Sequence, residues 1–221
     1  PEKMAEIILK ANDCGAGAIN LVNDKNILKA FDLACDNGCD MKVIATIGKS
    51  DVDYLNPNYE VACEVDWEED IELFSAYDTP VMLVDEFITD AYKWNLTSKI
   101  LTNINDAGSL SGIVTAFPYR TTDLLKDNID MDLFDFYMIP FNSISYMMDI
   151  NAFNASQRQE FVDRVVSLNK KIIATRILAA GVLNPKEAFT FFKDLDYIDA
   201  ISIGVAKVEE AREDFELLKE Y

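Results

Sequence analysis

The sequence predicts an α/β chain of alternating strand and helix units, and three observations carry that prediction. Seven short β-rich runs recur along the chain. They are near-continuously apolar rather than alternating, the pattern of parallel strands buried on both faces. Segments of helical period separate most of them, and several helix openings carry capping residues. Over 221 residues, such units suggest a (β/α)8, TIM-barrel-type domain spanning residues 1–221 first, and an open doubly wound sheet second.

The elements follow in order. "MAEIILKAND" near the start has helical apolar spacing and precedes the first strand run, "AINLVN" (18–23). "KVIATIG" (42–48) and "VMLVDEF" (81–87) are the next two runs. Between them Asp66-Trp67-Glu68-Glu69 reads as a capping residue with an acid at the third helical position. "GIVTAF" (112–117) and "DFYMIPF" (135–141) continue the series, followed by the helical "NASQRQEFVDRVVSLN". "KIIATRI" (171–177) leads through Ala179-Ala180-Gly181 to Asn184-Pro185-Lys186-Glu187, a second capping signature with proline where a helix tolerates it best. "AISIGVA" (200–206) is the seventh run. An eight-stranded barrel then has its first strand upstream of Pro1, or uses "YEVACEV" (59–65) as a strand. The helix ahead of the first run favours the former.

Composition excludes several function classes. The formal net charge is −19, from 39 acidic and 20 basic residues. So negative a surface repels phosphate backbones and anionic headgroups, so neither nucleic acid nor a membrane is an expected partner. No apolar stretch approaches the roughly 18 residues of a membrane span, and Pro1-Glu2-Lys3 leads directly into helix-like sequence without a signal-peptide pattern. The four cysteines, Cys14, Cys35, Cys39 and Cys63, lack disulfide-scaffold density, which points to a reducing, cytoplasmic setting. Cys35 and Cys39 supply half a zinc site with no third ligand at zinc spacing, so buried apolar cysteines are expected and no metal. There is no histidine, which removes Ser-His and Cys-His nucleophiles and imidazole acid–base catalysis.

Read in order, "PEKMAEIILKANDCGAGAINLVND", "KVIATIG", "VMLVDEF", "INDAGSLSGIVTAF", "DFYMIPFNS", "RILAAGVL" and "IGVAKVEEAREDFELL" resemble the aldo/keto reductase superfamily over most of the chain. "ILAAGVL" is similar to that family's Pro-Leu-x-x-Gly-Leu-Leu segment after its seventh strand. The resemblance implies a catalytic Asp and Tyr after the second strand, a Lys after the third and a His after the fourth. This chain has Asn20 or Asn23 near the aspartate position with no tyrosine, Ile47 at the lysine position and Asp85 at the histidine position. Ala116-Phe117 replace a Ser-Asn pair and Met138 replaces a glutamine that would contact nicotinamide. A ketone reductase needs a proton donor beside the hydride acceptor. The resemblance therefore implies the fold without the reductase activity, and no cofactor is expected.

The candidate site residues lie at the strand C-termini, the active face of a barrel. The family's turns after strands seven and eight hold phosphates, and here that corner is Ala179-Ala180-Gly181 with Gly204-Val205-Ala206. Small residues let backbone N–H groups approach an anion, with Lys207 and Arg176 supplying charge, although the glycine equally serves the turn alone. Lys49 lies two residues beyond Ile47, roughly 7 Å further along an extended strand. It is a candidate Schiff-base nucleophile or a solvated loop lysine. Asp85 and Glu86 point to opposite sides of a strand, so one can be a base while the other caps a helix. Asp24 and Asp85 have no Mg²⁺ signature spacing. Tyr119-Arg120 can clamp a carboxylate or phosphate, or cover the barrel top; Asn142 can orient a ligand or cap a turn. The expectation is a barrel acting on or binding a small anionic, possibly phosphorylated metabolite. Lyase or aldolase chemistry would use Lys49 or Lys207, with Asp85 in support. The alternatives are a non-catalytic ligand-binding relative, or a nicotinamide oxidoreductase with a rearranged site. Oligomerisation is left open.

Overall fold

The computed structural model describes residues 1–50, 52–53, 56–150 and 154–221. The chain runs α1 (Glu2–Asp13), β1 (Ala18–Leu21), α2 (Lys25–Asp36), β2 (Lys42–Ile47), α3 (Tyr59–Ala62), α4 (Trp67–Phe74), β3 (Val81–Val84) and α5 (Glu86–Thr89). It continues α6 (Trp94–Asp106), β4 (Leu110–Val114), α7 (Pro118–Asn128), β5 (Phe136–Pro140), α8 (Ala155–Val166), β6 (Lys171–Thr175), α9 (Pro185–Phe192), β7 (Ala200–Ile201) and α10 (Val208–Leu218).

Every pairing in the seven-stranded sheet is parallel, and the strands follow one another in chain order from β1 to β7. A doubly wound sheet would reverse that order partway. The curled sheet with helices outside it is of TIM-barrel type. Helix α1 packs against both α2 and α10, so the first and last helices adjoin.

The alternating side chains separate two packing layers. Val43, Ala45, Ile47, Met82, Val84, Ile113, Tyr137 and Ile139 join the large cluster shared with the helices. Val81, Leu83, Val114, Met138 and Ile173, with Ile44 and Phe136 against them, form a second cluster on the other face of the sheet. Gly112 belongs to that second layer. A Cβ there would stand 2.4 Å from Leu83 Cδ2 and 2.7 Å from Phe136 Cβ and O.

Two sequence expectations change. "YEVACEV" is not a strand: Tyr59–Ala62 is helix α3, opened by Asn58, whose side chain accepts from Val61 N. Several strands also end earlier than the apolar runs do. β3 stops at Val84 because Asp85 turns the chain and caps α5, and β7 keeps only Ala200–Ile201. The capping signatures form as read. Asn184 and Glu187 make a reciprocal capping box on α9, Asn154 and Gln157 make another on α8, and Asp66 accepts from Glu69 N.

Candidate functional site

The C-terminal ends of β2, β3, β4, β5 and β6 supply a cluster of charged residues at the barrel mouth. Asp85 follows β3, is 3% exposed and caps α5 by accepting from Phe87 N at 3.0 Å. Its other oxygen lies 3.9 Å from Lys49 Nζ, which also sits 4.9 Å over the Phe87 ring. Burial pushes the Asp85 carboxyl up to about 6, against the opposing pull of Lys49. Glu86 is the first residue of α5, so the strand alternation expected for Asp85 and Glu86 does not apply past Val84. Arg176, just past β6, donates from Nη2 to both Glu86 oxygens at 3.1 and 2.8 Å, spanning the mouth. The second terminal nitrogen of Arg176, Nη1, is buried and has no hydrogen-bond partner.

Asp90 lies one turn beyond Glu86, 6% exposed. It accepts from Thr115 Oγ1 and from Ala116 N at 2.9 Å, which ties the loop after β3 to the loop after β4. Burial pushes its carboxyl up to about 7; those hydrogen bonds oppose the shift and the charge of Glu86 adds to it. Glu86, Asp90 and Arg176 line a cavity of about 580 Å³ whose apolar wall includes Tyr59, Phe87 and Phe117. A second cavity, of about 840 Å³, opens on the β6–β7 side, and Arg176 lines this one too. Arg176 thus lines both spaces.

The turn expected from the sequence to cradle an anion, Ala179-Ala180-Gly181, follows β6 and is wired internally. Ala179, Ala180 and Gly181 all have positive φ, at 48°, 55° and 83°, and Arg176 has φ 56°. The N–H of Gly181 donates to Leu178 O, that of Val182 to Ala179 O, and that of Leu183 to Leu178 O. The Ala206 N–H donates to Glu210 Oε2 at 2.9 Å. These donors are engaged within the chain rather than converging on an open point. A Cβ on Gly181 would meet nothing within 4 Å; glycine is needed there for its φ rather than for space. Ala180, Gly181 and Gly204 do line the larger cavity.

Lys207 departs from its expected role: its side chain is 70% exposed, paired with Glu210 at 3.1 Å, and lines neither cavity. Lys49 lines neither cavity as well. Arg120 is exposed, its guanidinium 5.1 Å over Phe117, and its backbone N–H donates to Asp149. Asn142 is fully buried. Its Nδ2 donates to Tyr146 O at 3.0 Å and Arg176 O at 3.3 Å, and its Oδ1 accepts from Tyr146 N. It holds the Arg176 backbone in place instead of facing a ligand. Asp24 caps α2.

Carboxylates of the chain occupy helix N-termini around the mouth. Asp149 accepts from Tyr119 N and Arg120 N, both at 2.8 Å, at the start of α7. Asp70 accepts from Gly48 N at 2.7 Å and from Asn23 Nδ2 at 2.8 Å, joining the ends of β1 and β2. Burial pushes the Asp70 carboxyl up. Sequence reasoning did not single out Asp90, Asp149 or Asp70. Their partners lie 20 or more positions away in sequence, so no local spacing reveals them. Among the described residues no group of three or more Asp, Glu or Cys side chains is arranged to hold a metal ion, and no helix is long and apolar enough to cross a membrane.

No family model and no curated protein matches the sequence. Solved structures do match its shape. A protein from Pseudomonas aeruginosa, proposed to be an aldo-keto reductase, superposes with TM-score 0.67 at 14% identity, covering 99% of this chain and 83% of its own. The N-acetylmannosamine-6-phosphate 2-epimerase of Clostridium perfringens gives TM-score 0.56 at 14% identity, with 94% and 80% covered. A mutant tryptophan synthase α-subunit from Pyrococcus furiosus gives 0.53 at 16%, with 99% and 92% covered. The chain therefore has the TIM-barrel-type fold of these proteins, among them the proposed aldo-keto reductase whose family its sequence segments resemble.

Proposed function

We propose that the protein binds a small metabolite at the barrel mouth through an anionic group, a carboxylate or a phosphate, held by Arg176. The observation that carries this reading is Arg176, which lines two cavities and has a buried Nη1 without a hydrogen-bond partner while Nη2 holds Glu86. A buried donor left unmade is costly, and an anion satisfies it with a charge-assisted bond. Asn142, through the Arg176 carbonyl, fixes where the guanidinium emerges. An amine nucleophile must reach its substrate, and Lys49 and Lys207 line neither cavity. No Schiff-base step is therefore placed in these two cavities.

A second reading adds proton transfer. Asp90 lines the same cavity as Arg176, and its carboxyl, pushed up to about 7, is poised to give or take a proton near neutrality. The matching test separates binding from turnover. Acetate and inorganic phosphate, titrated calorimetrically, should bind the wild type, and Arg176→Met should weaken them about tenfold or more, the value of a charge-assisted hydrogen bond. Equal affinity in both proteins would remove Arg176 as the anchor. For any substrate turned over, Asp90→Asn should abolish turnover and leave binding; retained turnover would leave Asp90 a structural tie.

A further inference from the structure

The wall of the larger cavity opposite the β6 end is acidic. Glu210, Glu213 and Asp214 stand at i, i+3 and i+4 on α10 and share one face of it. All three line the cavity with Arg176. Two of them have cationic or N–H neighbours: Glu210 accepts from Ala206 N and pairs with Lys207, and Glu213 lies 3.7 Å from Arg212. Asp214 differs. It is 8% exposed, and among the described residues no hydrogen bond or ion pair reaches its carboxylate. Burial, with the charges of Glu210 and Glu213 beside it, pushes this carboxyl up.

A carboxylate on a largely buried residue, with no partner and two acidic neighbours, is an arrangement that a cation in the cavity would relieve. The same cavity is therefore lined by two side chains of opposite sign, Asp214 from α10, with no partner among the described residues, and Arg176 from the end of β6, paired with Glu86 through Nη2 and with Nη1 unpartnered. We infer that the cavity takes a small zwitterion of amino-acid type, its ammonium group on Asp214 and its carboxylate on Arg176. This rests on the reading of Arg176 as the anion anchor and specifies what lies at the ligand's other end. It also answers an electrostatic difficulty. A simple anion approaching a protein of net charge −19 meets repulsion, from Glu210 and Glu213 most closely. A zwitterion has no net charge to be repelled.

Glycine, γ-aminobutyrate and ε-aminohexanoate, compared with acetate, butyrate and hexanoate, vary the charge separation with and without the amine. Putrescine presents amines alone. Each is titrated into wild type, Asp214→Asn and Arg176→Met near neutral pH. For the amino acid whose length spans the cavity, the wild type should prefer the aminated compound by about tenfold, the value of a charge-assisted contact. Asp214→Asn should erase that preference while keeping affinity for the amine-free acid, and putrescine binding should depend on Asp214 and survive Arg176→Met. The variant should unfold no earlier than the wild type, because an unpartnered charge has been removed. No preference in the wild type, an unchanged preference in Asp214→Asn, or a clear loss of stability in that variant overturns the zwitterion alone. Putrescine binding through Asp214 with no acid bound by Arg176 overturns it together with the anion reading.

Discussion

Ala180 is exposed and sits at φ 55°, ψ 33°, between Ala179 and Gly181, which also have positive φ. For an L-residue with a Cβ this left-handed region costs about 1–2 kcal/mol. Replacing Ala180 by glycine relieves that cost and returns about 0.4–1 kcal/mol through the freer unfolded chain. The first effect is larger, so Ala180→Gly should stabilise by about 0.5–1 kcal/mol in denaturant melts; destabilisation would mean that its methyl is needed where it sits. Strain of this kind collects where a binding surface fixes the backbone, and here it flanks Arg176, itself at φ 56°. Asp90 and Asp85 give a second test. Their folded pKa values, about 7 and about 6, stand above the ordinary 3.8. The folded state then holds more protons than the unfolded one between those values. The stability from these two groups is full below the unfolded pKa and is lost as pH rises through about 6 and 7. Asp90→Asn should flatten the decline, so that stability measured from about pH 5 to about pH 8 falls less steeply than in the wild type. An unchanged slope would mean that Asp90 titrates normally.

At the scale of elements, Gly112 in β4 shows how closely the strands pack. A methyl there would stand 2.4 Å from Leu83 and 2.7 Å from Phe136, including its backbone oxygen. Leu83 can shift; the β5 backbone cannot shift without breaking its pairing at Gly112↔Phe136. Gly112→Ala should therefore destabilise by about 1–3 kcal/mol, the usual cost of overpacking, read as a lowered denaturation midpoint. Asn184→Ala, which dismantles the α9 capping box, should cost about 1 kcal/mol. These elements were largely legible in the sequence, because burial on both faces leaves β-branched runs and caps leave local spacing. The ends of the strands were less so. In "VMLVDEF" the apolar pattern continues through Phe87, but Asp85 accepts from Phe87 N and starts a helical turn. The hydropathy is satisfied either way, and only the hydrogen bond decides. The expected alternation of Asp85 and Glu86 across a strand needs a strand that in fact ends at Val84; Asp85 caps α5 and Glu86 is its first residue. The pairing of Glu86 with Arg176, 90 positions later, and the exposure of Lys207 depend on how the barrel curls, which no local pattern encodes.

For the molecule as a whole, charge sets the conditions under which any ligand arrives. With 39 acidic and 20 basic residues, long-range repulsion among carboxylates destabilises the compact state. The ion pairs that oppose it are mostly exposed, as with Lys99–Glu68 and Lys171–Asp199, and such pairs contribute about 0–1 kcal/mol each. Salt weakens both effects unequally. The Debye length falls from about 30 Å at 0.01 M to about 8 Å at 0.15 M. Screening over that range removes repulsion between distant acids while leaving contacts within 4 Å largely in place. Raising NaCl from about 0.01 to about 0.3 M at about pH 8 should therefore increase the thermal midpoint. A decrease would show that the ion pairs dominate. The same titration separates the two ligand classes. Screening lifts the barrier that a net charge of −19 raises against acetate or butyrate, so their affinity should hold or rise as salt is added, even as the contact with Arg176 is itself partly screened. A matched amino acid feels no such barrier, and its two ionic contacts only lose strength. Its advantage over the simple acid should shrink steadily with salt; an advantage independent of ionic strength would mean that the amine is recognised by something other than the charge of Asp214.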